Sequence, residues 1–239
     1  MSRRKCTTLS KATICAAITL GLSLTARTPV AHAATSCSSG LSFAVHFDTS
    51  RPIYGTQASI LSHNPLLCTT GDPGSSSSVW VMIAGNGNGY AQSGYVRFAN
   101  FPVARYFYEY NGQGDTQYVD PNAIGGGETH FYKAYVNSGN GQAVMVRDSY
   151  VIGVTPWFVG AYWPSPYQTQ ISGETHDAGD DMPGTAGNPT YFTNIQEEYD
   201  YNVGFQRPTA GFNQLQGPGA PRYGSASSGD FSQYAVYTQ

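Results

Sequence analysis

What this 239-residue chain has little of narrows its class before any motif is considered. Basic side chains number 12 against 15 acidic ones, and five of the 12 precede Ala34 while none of the 15 do. Residues 34–239 therefore hold seven basic and fifteen acidic side chains, a net charge near −8, with Lys133 as their only lysine. Such a surface repels phosphate backbones and anionic lipid, so neither nucleic acid nor a membrane surface is an expected partner. Segments of helical periodicity are almost missing, and no CxxC or Cys/His cluster offers a metal the usual ligand spacing. No GxSxG context supports a serine nucleophile. The paired-acid strand ExDxE, which marks sandwich glucanases, is also missing, and that counts against a glycosidase built on two carboxylates. Neither a cofactor nor a metal is expected.

What is present begins with an export signal. Residues 1–33 carry a basic start (Arg3, Arg4, Lys5, Lys11), an apolar run from Ala12 to Leu24, and small residues at Ala31 and Ala33. That layout predicts a secretory signal peptide cleaved after Ala33, because the apolar run is too short to span a bilayer. The expected location is extracellular. Of four cysteines, Cys6 and Cys15 leave with this segment, and the remaining Cys37 and Cys68 are expected to form one disulfide in an oxidising compartment.

The rest reads as one all-β domain, 34–239, with an N-terminal arm and first strands over 34–75 and a sandwich core over 76–239. Short apolar-alternating runs recur: "SFAVHF", "IYGTQASI", "SVWVMIAG", "YAQSGYVRF", "RYFYEY", "THFYKAYVN", "AVMVRDSY", "WFVGAYW" and "YQTQIS". Gly-rich connections such as "GNGNG" and "NSGNG" separate them. This pattern predicts an antiparallel β-sandwich or jelly roll of the concanavalin-like kind. "NPTYFTNIQEEY" is compatible with a short helix or a strand, and the tail from Gln214 reads as a surface arm ending in the strand "FSQYAVYT". Nothing demands more than a monomer.

Two stretches carry polar residues where a strand should be apolar. In "GYAQSGYVRF", strand alternation puts Gln92 in one row with Tyr90, Gly94, Val96 and Phe98. In "YQTQISGETHDAG", Gln168, Gln170, Ser172, Glu174 and His176 share one side. A wholly polar sheet side is either a solvated outer face or the floor of a binding groove.

In their order along the chain, "WVMI", "QSG", "YFYEY" and "GGETHFYKAYV" resemble successive strands of the eqolisin glutamic peptidases, a downstream strand then bearing a glutamate. "IYGTQASI", "AYWP" and "ISGETH" resemble segments of the plant neprosin family, over roughly residues 53 to 200. Neprosins have glutamate where Gln92 falls, so that position is eqolisin-like; the Asp that follows the eqolisin "WVGI" is missing here. The resemblance implies a secreted, acid-acting endopeptidase in which Glu174 is the base and then the acid. Gln92 would orient water and stabilise the oxyanion. Protein or peptide substrates are the implied partners.

Trp80, Tyr106, Tyr108 and Trp163 are candidates to stack on a substrate, Trp80 and Tyr108 foremost, with packing as the competing role. Glu109 and Glu128 read as surface carboxylates. "HDAGDD", with its turn Asp177–Asp181, offers carboxylates to a cation such as Ca²⁺ but reads more simply as a solvated acidic turn. A carbohydrate-binding sandwich and an inactive relative of the peptidase fold remain the alternative functions.

Overall fold

A computed structural model describes residues 37–68, 74–85, 89–163 and 167–239. The expected signal peptide, residues 1–33, lies outside the described residues. Among the described residues, sixteen strands follow in chain order: β1 (Ser39–Asp48), β2 (Gly55–Leu61), β3 (Ser76–Ala84), β4 (Tyr90–Phe98), β5 (Arg105–Asn111), β6 (Thr116–Ala123), β7 (Thr129–Val136) and β8 (Ala143–Arg147). Then come β9 (Tyr150–Val154), β10 (Gln168–Asp177), β11 (Gly184–Thr185), β12 (Asn188–Glu198), β13 (Phe205–Gln206), β14 (Phe212–Gln216), β15 (Tyr223–Ser227) and β16 (Tyr234–Thr238).

They form two sheets, ordered β14-β1-β10-β3-β4-β5-β6 and β15-β16-β11-β12-β2-β7-β8-β9, with β13 added on β12. The all-β sandwich expected from the sequence is what the chain adopts. β1 and β2 sit inside the two sheets rather than beside them, since β1 pairs with β10 and β14, and β2 with β12 and β7. Between the sheets, Ala44, Val79, Val81, Tyr95 and Ile171 of the first meet Ala58, Ile60, Tyr132, Phe192 and Val236 of the second. Removing this apolar area from water is the main driving force for the layering. Because strand side chains alternate, the residues between these on β3, β4 and β10 must project from the opposite face of the first sheet. That face carries the candidate site.

A disulfide joins Cys37 to Cys68 with the Cα atoms 5.6 Å apart, as expected. It ties the entry of β1 to the segment after β2, closing a long loop and so restricting the unfolded chain.

Two segments depart from expectation, and a third, open to helix or strand, takes one of its two forms. "WFVGAYW" is not a strand but contains a 3₁₀ turn at Val159–Ala161. Val159 and Trp163 are both buried in the core, a four-residue spacing that suits a turn and not a pleat. Trp163 Nε1 donates to the Asn111 carbonyl at 2.7 Å, which anchors that turn. "NPTYFTNIQEEY" is a strand, β12, with a register shift between Thr193 and Gln196. The shift changes which parity faces inward, from Thr190 and Phe192 to Ile195 and Glu197, and the resulting spacing of Phe192 and Ile195 mimics a helix. The arm around Gln214 is partly strand, since β14 pairs with β1. Among the described residues, no helix is long and apolar enough to cross a membrane.

Candidate active site

On the outer face of the first sheet is a cavity of about 540 Å³. Trp80, Gln92, Glu109, Asp115, Glu174 and His176 are among its lining residues, alongside apolar Phe43, Val96, Phe98 and Phe107. Each polar group arrives there by pairing register. β3 lies between β10 and β4, placing Glu174 opposite Ser78, Ser172 opposite Trp80 and Gln170 opposite Met82. Across the next ladder Trp80 faces Gly94 and Met82 faces Gln92, and Gln92 in turn faces Glu109. Gln92 and Glu174 therefore share one face and one cavity, two strands apart and offset along the sheet, with Trp80 between them. At strand spacing that separation is about 10 Å across and about 13 Å along, so the two groups stand at separate points of one cavity, each with its own partners.

The glycine two residues after Gln92 has a local cause. A Cβ on Gly94 would lie 1.9 Å from the Val79 carbonyl oxygen, a backbone atom that cannot step aside. The close approach of β4 to β3 thus requires glycine in "QSG".

Glu174 is held at both oxygens. Trp80 Nε1 donates to Oε2 at 3.0 Å, and His176 Nε2 lies 3.1 Å from Oε1. The hydrogen bond to Glu174 pushes the His176 imidazole above its ordinary range, with the Glu109 and Asp180 carboxylates adding to the effect against desolvation. Trp80 is buried, its indole N–H satisfied by the carboxylate.

Gln92 is 6 % exposed, and its Nε2 donates to Glu109 Oε2 at 3.3 Å. Gln117 Nε2 donates to the same oxygen at 2.8 Å, and the Tyr90 hydroxyl donates to Oε1 in a short bond. Burial, followed by that bond to Glu109, raises the Tyr90 phenol far above its ordinary value. Glu109 was expected on the surface. It instead organises the Gln92 end of the cavity, because Glu109 and Gln92 are register partners on adjacent strands. Strand alternation could have shown this: Phe107 and Glu109 share a side of β5 just as Gln92 and Gly94 share a side of β4.

The other candidates lie elsewhere. Tyr108 is on the opposite side of β5, stacked on Tyr118 and Tyr110 and packed against the core, and does not line the cavity. Tyr106 sits under Arg147 and bonds His130 through its hydroxyl. Glu128 is exposed, 3.2 Å from His130. The two neprosin-like segments around β2 and Trp163 also lie outside the cavity.

The turn Asp177–Asp181 is not solvated. Asp177 and Asp180 are 1 % and 0 % exposed. Asp177 accepts from the amides of Ser38 and Gly179, and Asp180 from the Cys68 amide and the Ser75 hydroxyl. Asp181 pairs with Arg222 at 2.6 Å. These carboxylates brace the disulfide-linked segment against β10. Cys37, Cys68 and Asp177 lie close enough together to suggest a metal set, but both sulfurs are already joined to each other.

No protein-family model and no curated protein matches the chain. Solved structures do. Scytalido-glutamic peptidase, with a peptide-based transition-state analogue, superposes with a TM-score of 0.57 at 11% identity, covering 85% of this chain and 100% of that one. SCP-B, a member of the eqolisin family of peptidases in complex with the tripeptide Ala-Ile-His, gives 0.56 at 12% identity with the same coverage. At such identity the likeness speaks to architecture: the chain has a glutamic peptidase-like fold.

Proposed function

We propose that the chain is a secreted, acid-acting peptidase in which Glu174 activates water and Gln92 steadies the oxyanion. The observation that supports this reading most is the convergence of Glu174, Trp80 and Gln92 on one cavity of a fold shared with peptide-binding glutamic peptidases. Amide hydrolysis needs a base for water, an acid for the departing nitrogen and a donor for the developing oxyanion. Glu174 accepts the water proton. With one Gln92 N–H turned to Glu109, its second N–H and its carbonyl are left to serve an oxyanion and a water. Cleavage is expected in acid, where a carboxyl can both take a proton and return it. The anionic surface suits a solution-borne monomer acting on protein or peptide substrates, without nucleic acid or membrane.

The test is cleavage of an acid-denatured protein by the purified chain from residue 34, across pH 3 to 8 with pepstatin present. Cleavage in acid that is lost in Glu174→Gln and Gln92→Ala supports the reading; a folded wild type inert at every pH sinks it. One observation favours a second reading, a carbohydrate-active groove: Glu109 and Glu174 are two carboxylates in one aromatic-walled cavity. Hydrolysis of a glycan panel abolished by Glu109→Gln would select it.

A further inference from the structure

The two oxygens of Glu174 are held by donors of different kinds. Trp80 offers an indole N–H, which can neither accept a proton nor pass one on. His176, 3.1 Å from the other oxygen, can do both. The two residues stand at i and i+2 on β10, so the pleat sends both side chains to the cavity face. Glu174's side chain is 14% exposed and that of His176 is 51% exposed. His176 is thus the hydrogen-bonded group between the carboxylate and the open side of the cavity.

Among the described residues, the charged groups that act on His176 are acidic: Glu174 on its own strand, Glu109 from β5 and Asp180 from the turn after β10. Asp115 on the cavity wall is acidic too. The flanking strands contribute Leu41 and Phe43 from β1 and Ser76 and Ser78 from β3 to the cavity wall there, none of which titrates. An imidazolium is the form this setting favours.

Resting on the peptidase reading above, we propose that His176 is the general acid of the site, delivering to the departing nitrogen the proton that Glu174 alone would otherwise return. As the C–O bond forms, one water proton moves to Glu174. As the C–N bond breaks, its electron pair goes to nitrogen, which takes the Nε2 proton of His176. The proton on Glu174 then crosses the Oε1···Nε2 hydrogen bond, restoring carboxylate and imidazolium. One hydrogen bond cannot hold two protons, so proton arrival at Oε1 drives release from Nε2. Cleavage then requires an ionised Glu174 and a protonated His176 together, which confines it between an acid limb and a high-pH limb.

The experiment compares wild type with His176→Gln, which keeps an N–H donor for Glu174 but has no transferable proton. Two substrates are used across pH 3 to 9: a peptide, and a p-nitrophenyl ester of the same acyl group, whose leaving group departs without a proton. The expected result is a loss of about 100-fold on the peptide, with the high-pH limb gone, and little loss on the ester. In wild type, the midpoint of the high-pH limb should coincide with the His176 titration followed by NMR. Equal losses on both substrates, or an unchanged peptide profile in His176→Gln, would overturn the proposal while leaving Glu174 as base and acid. If wild type hydrolyses neither substrate, the peptidase reading itself fails and this proposal goes with it.

Discussion

β10 separates two carboxyl clusters that solve opposite problems. On its outer face Glu174 opens to a cavity and is paired with a half-exposed imidazole and an indole N–H. On its inner face Thr169 donates a short bond to Glu197, which also accepts from the Tyr199 hydroxyl at 2.7 Å. Asp48, the register partner of Thr169, lies beside them, and Asp48 and Glu197 are each 1% exposed. Burial, reinforced by the Asp48 carboxyl, pushes the Glu197 carboxyl up to about 7. Carboxyl groups gathered at the two faces of one strand are thus made a solvent-reachable carboxylate–imidazole pair on one side and a proton-retaining buried pair on the other. Access to water decides between them, since desolvation penalises the charged form.

The largest expected effect breaks the outer cluster. Glu174→Gln keeps the shape and the hydrogen bond from Trp80 and removes the base, so peptide cleavage should fall by about 1,000-fold or more, while the thermal midpoint stays near that of wild type. A similar loss of stability would place Glu174 among the structural groups instead.

Next comes the inner cluster. The folded Glu197 value lies above the unfolded one, near 4.5. Its contribution to stability is therefore fully present below about pH 4.5 and is lost as pH rises through about 7. The difference is worth about 3 kcal/mol at 1.36 kcal/mol per pH unit. Urea unfolding at pH 4 and pH 8 should show wild type weakening by that order and Glu197→Gln weakening much less. Equal pH dependence in the two proteins would remove Glu197 from the account. Gln92→Ala should cost about 100-fold in kcat with a smaller change in KM, as expected for a lost oxyanion donor. Trp80→Phe removes the indole donor from Glu174 and should cost about tenfold, the scale of one charge-assisted hydrogen bond. Smallest of all, Glu128→Gln should shift stability by under about 0.5 kcal/mol, because its pairing with His130 is solvent-exposed.

Much of this was legible in the sequence. Alternation put Gln92 with Val96, and Glu174 with Gln170 and His176, on single sides of strands, and the structure keeps both rows. Glu109 reads as a surface carboxylate because "RYFYEY" shows only that it sits among aromatics, not that its register partner is Gln92. Tyr108 was a candidate for substrate contact, but parity on β5 sends it to the core side while Phe107 and Glu109 take the cavity side. The Asp48–Glu197 pair was invisible, since its members are far apart in sequence and come from different sheets.

By itself the sequence determined the all-β class, most of the strands, the alternation that sorts each strand's side chains between two faces, and the net negative charge. It also pointed to the Cys37–Cys68 disulfide. Those follow from local sterics, hydrophobic periodicity and counting. Only the tertiary structure decided which strand lies beside which, and hence which carboxylate meets water and which meets another carboxylate. Strand order and register are set by the summed burial of both sheets, and that sum is not written in any one segment.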